Sequence, residues 1–483
     1  MSLVGVQRDR TMQSPDAQLS AAGGIPRCKR TMALVALALL IPLNEGCEAP
    51  RPEIHVRKAP LVPDSGSLAV RCGALIDGLA PAPLPDRLIV IREGRITEIR
   101  DGATAPPRGL SYLDLSTRTC LPGLINTHVH FDGNPEDSVD YGIYARRTPE
   151  ETLQLVLDNA ATTLMTGFTT VRHTGAWFPQ AIYDARTRIR SGSDLGPRIQ
   201  TAGPYLTIPG GGGDLTFPEI PPEKIPPESQ LGIASTPAEF AERTEAAIQA
   251  GADFIKVIAS GAVFSMGTEP GAPEMHQDDI EAVVQVAHRH GRKVTAHVHS
   301  DESGQDAILA GVDSLEHASL LTDSTIALAA ERGVALSMDV YNGTYTDTIG
   351  RAQGYPDVFL QRNTDTTEAQ RVVFEKAHAA GVTILYGTDA AVLPHTMGGW
   401  QFAIMVERGM APMAALKSAT SVAADHMGIS EDVGAVAIGR YGDLIAVTGS
   451  PLEDVKLMRS VDVVIMGGHV VKHQGPAPAL SLD

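Results

Sequence analysis

Cysteine is scarce in this chain. There are four, of which Cys28 and Cys47 fall in the first fifty residues and only Cys72 and Cys120 lie beyond. No run of them has zinc-site spacing, which excludes a thiolate metal site of the finger or ribbon kind. Basic residues are in deficit too, with 39 Lys and Arg against 57 Asp and Glu and a formal net charge of -18. A surface that meets phosphates needs the opposite balance, so no nucleic-acid partner is expected. No G-x-G-x-x-G follows the first strand of the central region, which argues against a doubly wound dinucleotide fold. The glycine run Gly210–Gly213 has no Lys-Ser/Thr after it and is no phosphate loop.

Long apolar runs are also missing. Met32 to Leu43 is almost wholly apolar but too short to span a bilayer, and Arg27-Cys28-Lys29-Arg30 precedes it. That is the layout of a signal peptide, so residues 1–50 are set aside as a leader and the chain is expected to be exported, to a periplasm. Gly46-Cys47 stands at a cleavage point. Lipoprotein processing, with a lipid anchor at Cys47, and ordinary cleavage nearby both stay open, because Asn44 and Glu45 are not the small or apolar residues usual there. Cys72 and Cys120 could pair in an oxidising compartment. Free buried thiols are the expectation adopted, since sequence alone shows no pairing.

What is present is an orderly alternation. From Leu68 to Asp101 short strand-like runs are separated by turns at Asp77-Gly78 and Glu93-Gly94, and the texture returns at Asp443–Val447 and Val463–Gly468. This predicts a small β-sandwich built from both termini, residues 51–121 and 435–483. Between them, residues 122–434 alternate strands with helices. The strands are Leu124–His130, Thr169–Thr174, Ile199–Tyr205, Phe254–Ser260, Lys293–His299, Ser314–His317, Ala335–Tyr341 and Thr383–Asp389. Helices are expected at Pro149–Thr166, Pro237–Ala250, Asp278–His290 and Thr366–Ala380, with glycines 251, 291, 333 and 381 at their ends. Eight such units predict an α/β fold, a (β/α)8 TIM barrel. Two long loops, Thr207–Ser235 and Asn342–Asp365, follow the third and seventh strands, where specificity and lids reside.

Polar outliers gather at strand ends. His128 and His130 close the first strand two residues apart, so both imidazoles face one side. His297 and His299 end the fifth, His317 the sixth and Asp389 the eighth. Lys256 sits inside the apolar run Phe254-Ile255-Lys256-Val257-Ile258, where a bare ammonium is costly and must be paired or altered. Surface residues would not keep that phase by accident.

These motifs resemble the amidohydrolase superfamily. They are Pro122-Gly123-Leu124-Ile125-Asn126-Thr127-His128-Val129-His130, Ile255–Gly261, Ala296–His299 and Ser314–His317. The likeness runs from Leu68 to Lys472 and is closest to the branch of prolidase-like dipeptidases, carboxypeptidases for basic residues and ochratoxin-hydrolysing amidases. The resemblance implies two Zn²⁺ ions. His128, His130 and Asp389 would hold one, His297 and His317 the other, and an N-carboxylated Lys256 would bridge them. A bridging hydroxide would be the nucleophile and Asp389 the catalytic proton carrier. His299, Tyr341 and His395 would contact substrate, an amide or dipeptide. His276 reads as helix-capping context and His426 as structural. His173 stands where the branch usually has Asp, and Gly212 where relatives often carry His. A homo-oligomer is compatible with the family. The alternatives are a cyclic-amide hydrolase, a deaminase, against which Lys256 speaks, and a non-catalytic barrel.

Overall fold

The computed structural model describes residues 66–473. The leader, with Cys28 and Cys47, lies outside the described residues. Among those that are described, no helix is long and apolar enough to cross a membrane.

The terminal segments combine in one seven-stranded sheet. Its members are β1 (Leu68–Leu75), β2 (Leu84–Arg92), β3 (Arg95–Asp101) and β4 (Ser111–Pro122) from one end, with β13 (Leu444–Thr448), β14 (Val463–Met466) and β15 (His469–His473) from the other. The order is β15-β14-β13-β4-β1-β2-β3. Here β1 lies parallel to β4, with Leu75 opposite Cys120. That neighbourhood corrects the expectation of free thiols: Cys72 and Cys120 form a disulfide, their Cα atoms 5.8 Å apart. Both are fully buried in the apolar layer of the sheet with Val70, Ile89 and Ile465.

The middle of the chain is α/β with parallel sheets. Strands β5 (Leu124–Val129), β6 (Phe168–His173) and β7 (Arg198–Thr201) form a three-stranded sheet in chain order. Strands β8 (Ile255–Ile258), β9 (Val294–Val298), β10 (Ser314–His317), β11 (Ala335–Met338) and β12 (Ile384–Tyr386) form a five-stranded one. Single parallel bridges, Leu206 to Val257 and Val129 to Ala390, link the segment after β7 to β8 and the end of β5 to the segment after β12. Six of the eight strands fall within the predicted runs, and β6 and β7 each start one residue before theirs. All eight are buried along their whole length apart from Gln200 in β7, as strands covered on both faces must be.

The helices start where the sequence marks them. Thr148 caps helix Pro149–Met165 by accepting from the Glu151 amide, while the Glu151 carboxylate accepts from the Thr148 amide at 2.8 Å. Thr236 caps Pro237–Ala250, which ends at Gly251 in the left-handed region, φ 114°. Their apolar faces close a core against the strands, with Val156, Phe240 and Val283 packed on Val171, Ile255 and Val294. One expected loop is not a loop. Past Tyr341 the chain turns helical at Asn342–Tyr345, and a long helix runs Asp357–Ala379. The Pro356 turn starts that helix nine residues before the predicted Thr366, because polar Thr, Asn and Gln side chains hide its buried face from an apolar count.

Candidate metal centre

The strand-end residues converge on one cavity. His128, His130, Lys256, His297, His299, His317 and Asp389 all line it. The Nε2 atoms of His128 and His130 are 3.1 Å apart. Asp389 Oδ1 lies 3.4 Å from the first and 3.3 Å from the second. The rings of His297 and His317 stand 4.4 Å apart, and those of His128 and His317 5.0 Å. Two residues reach in from strained backbone: His317 at φ 66° and Asp389 at φ 53° occupy the left-handed region. Such conformations cost energy and persist where the surroundings impose them, often at functional sites.

Each imidazole is fixed from behind. His128 Nδ1 faces Glu316 Oε2 at 2.9 Å, and Glu316 in turn pairs with the buried Arg172. His317 Nδ1 lies 3.0 Å from Asp339 Oδ1, which also accepts from Gln370 Nε2 at 2.7 Å. His299 Nδ1 is held by the Ser319 hydroxyl at 2.8 Å. Asn342 Nδ2 donates to Asp339 at 3.1 Å and to Asp389 at 3.2 Å, joining two carboxylates. With Nδ1 engaged, the Nε2 atoms of His128 and His317 are left for a ligand, the arrangement that orients metal-binding histidines.

The electrostatics suit a cation. Burial pushes His128 down to about 4 and His299 down to about 3, so both are neutral donors at ordinary pH. His297 is held well below its usual value by burial and by His317, and its Nε2 is buried with no hydrogen-bond partner. Burial alone would lower His317, but the Asp339 carboxylate outweighs it and raises the group. Burial raises Asp389, yet the imidazoles of His128, His130 and His317 together hold it below the ordinary carboxylate range. The side-chain amine of Lys256, a residue 1% exposed, makes no hydrogen bond or ion pair among the described residues, and burial lowers it to about 8 against the pull of Glu316 and Asp389. The sets His128–His317–Asp389 and His297–His299–His317 each bring their donor atoms close enough to share one ion. The orphaned His297 nitrogen and the mixed imidazole and carboxylate donors fit divalent metal.

Two expected substrate contacts face elsewhere. His395 is buried, its Nε2 3.2 Å from the Gly133 carbonyl and its Nδ1 3.5 Å from the Thr163 hydroxyl, so it pins the loop after β5. Tyr341 packs on Trp400, ring centres 5.8 Å apart, because β11 ends at Met338 and the chain has left the strand phase before Tyr341. His299 does line the cavity. His276 caps the helix Gln277–Arg289, and His426 is half-buried beside Arg172. His173 accepts from the Phe131 amide at 2.8 Å through Nε2 and stands 3.6 Å from Asp132, behind His130. Sequence reasoning missed Arg172, Glu316, Asp339, Asn342 and Gln370. Only Arg172 and Glu316 carried a signal, as charged residues inside strands otherwise buried.

Comparison with known proteins agrees with this geometry. The amidohydrolase family pattern matches residues 119–471. Ochratoxinase of Aspergillus niger is 28% identical over 467 residues, covering 89% of this chain and 93% of its own. A Xaa-Pro dipeptidase solved with methionine in its active site superposes with a TM-score of 0.77 at 31% identity, over 84% of this chain and 100% of that one. A prolidase in complex with N-methylphosphonate-L-proline superposes with a TM-score of 0.78 at 25% identity, over 84% and 100%. This chain is a hydrolase acting on C–N bonds, and it belongs to the amidohydrolase family, in its prolidase- and ochratoxinase-like branch.

Proposed function

We propose that the chain hydrolyses the amide bond of a small molecule at a binuclear metal centre, with dipeptides and N-acyl amino acids as the first classes to test. The observation that carries this is the ring of His128, His130, His297, His317 and Asp389 around a buried, unpaired Lys256. His128, His130 and Asp389 hold one ion and His297 and His317 the other, with Zn²⁺ the expected metal. The neutral Lys256 amine can add carbon dioxide, forming an N–C bond and releasing a proton, and the resulting carbamate would be an anionic ligand for the metals. Metals held there would supply Lewis acidity for water and for the scissile carbonyl. Asp389, ionised and steadied by Asn342, takes the proton of the attacking water and passes it to the leaving amine. Glu316 and Asp339 keep the His128 and His317 rings in the ligating orientation. His299 sits beside the substrate.

The same reading assigns residues 122–434 to a closed (β/α)8 barrel, supported by the two single bridges between its sheets. The flanking ranges 51–121 and 435–483 are read as one small β-sandwich domain, to which the described residues contribute the seven-stranded sheet. Export to the periplasm, with or without a lipid on Cys47, is supported by the buried disulfide, since such bonds persist in oxidising compartments. Amino-acid release from a library of dipeptides and N-acyl amino acids tests the activity. Silence from a protein carrying two metals would favour ring-opening of cyclic amides.

A further inference from the structure

Above the metal-binding floor the cavity has two unlike walls. One is aromatic, made by Tyr141, Tyr144, Trp177, Tyr205 and Phe264 from the segments that follow β5 to β8. Trp177 meets Tyr144 edge to face at 4.6 Å and Tyr205 at 5.8 Å. Phe217 stacks behind Tyr141 at 4.0 Å with rings 6° from parallel, which makes the wall two layers deep. Two of the polar tips are engaged elsewhere. Trp177 Nε1 donates to the Gly213 carbonyl at 2.8 Å, and the Tyr205 hydroxyl meets His130 Nδ1 at 3.0 Å. The wall offers a ligand mainly ring surface, which favours a planar or bulky apolar group.

The other wall is polar and uncharged, made by Asn342, Asn363, Thr366, Thr367 and Gln370. Asn342 holds two carboxylates through Nδ2, while its Oδ1 is buried with no donor. Lys256, down at the floor, is the one Lys or Arg among the described residues that line the cavity, whereas Asp132, Asp339 and Asp389 all line it. Arg362, next to Asn363, turns its guanidinium to the carbonyl of Ser265. A free carboxylate held away from the metals would find no cation to pair with, an acceptor it cannot satisfy and carboxylates nearby. Like charges so placed repel and exclude the wrong partner.

We propose that the amide opened here carries an aromatic group, seated on the Tyr141–Trp177–Phe264 wall, and a neutral carboxamide-like end in place of a free carboxylate. This rests on the site being an amidase and narrows its substrate from free dipeptides and N-acyl amino acids to capped aromatic amides. The test is a matched pair, N-benzoylglycyl-L-phenylalanine and its C-terminal carboxamide, with the zinc-loaded enzyme. The carboxamide is expected to show a kcat/KM at least about tenfold higher. Phe264→Ala should lower kcat/KM for the aromatic carboxamide by about tenfold, a larger loss than for a small aliphatic amide. Equal or faster turnover of the free acid overturns the proposal. If neither compound is opened, the amidase assignment fails for them, and binding decides the inference separately. Trp400→Phe leaves Trp177 as the fluorescent reporter in the wall, the chain having two tryptophans. Tighter binding of the carboxamide sustains the proposal, and equal or tighter binding of the acid overturns it.

Discussion

Glu316 and His128 meet 2.9 Å apart beneath the metal-binding face, carboxylate oxygen to Nδ1, with Arg172 on the far side of the carboxylate. The group is fully buried, so its charges balance each other or nothing does. Burial raises Glu316, but Arg172 and then His128 outweigh it and hold the carboxyl well below its usual range. Glu316→Gln leaves the Arg172 guanidinium without its counter-charge and lets the His128 ring turn. We expect a stability loss of about 3 kcal/mol and metal affinity lower by about 10- to 100-fold. Thermal unfolding and metal titration of the variant check both.

Asp389 and Asn342 give a second prediction. Asp389→Asn removes the proton carrier but leaves an oxygen ligand, so metal should stay while kcat falls by about 10²- to 10⁴-fold. Metal content measured alongside turnover separates this from a folding defect, and retained activity would remove Asp389 from its role.

Lys256 predicts a pH dependence of metal loading. Its amine must be neutral to take up carbon dioxide, and burial places its midpoint at about 8. Below that, the neutral fraction falls about tenfold per pH unit. His128, His297 and His299 are depressed and already neutral through this window, so they do not mask the effect, whereas His317 is raised by Asp339. Loading of metal-free enzyme at a fixed concentration of dissolved carbon dioxide should therefore be faster at pH 8 than at pH 6.5, followed by the recovery of activity.

The disulfide predicts a separation of stability from chemistry. Cys72 and Cys120 are 48 residues apart and join β1 to β4 in the terminal sheet. Replacing both with Ser should lower stability by about 2–4 kcal/mol. The kcat of the correctly loaded enzyme should be unchanged, as seen by unfolding with and without reductant.

The strands and most of the centre were legible because each ligand sits at the end of an apolar run with a fixed phase. Helix Pro237–Ala250 was legible residue for residue, because Thr236 and Gly251 mark both ends. Glu316 was not read as part of the site. It neighbours His317 in one strand, and alternation places adjacent side chains on opposite faces; only the left-handed turn at His317 brings both residues to the same histidine cluster. Asp339 and Asn342 were lost for a related reason. Extending β11 to Tyr341 put the wrong residue at the strand's mouth, whereas the strand ends at Met338 and the chain turns into a helix at Asn342. The Cys72–Cys120 pairing depends on β1 lying beside β4, a non-consecutive neighbour that no local pattern reveals.

The most direct test of the central claim is metal stoichiometry measured on the same samples as amide hydrolysis, for the wild type and Lys256→Ala, before and after chelation. The account predicts two metals per chain, activity lost with chelation and regained with Zn²⁺, and a Lys256→Ala protein that neither retains both metals nor turns over. Full activity in chelated protein, or two tightly held metals without Lys256, would contradict it.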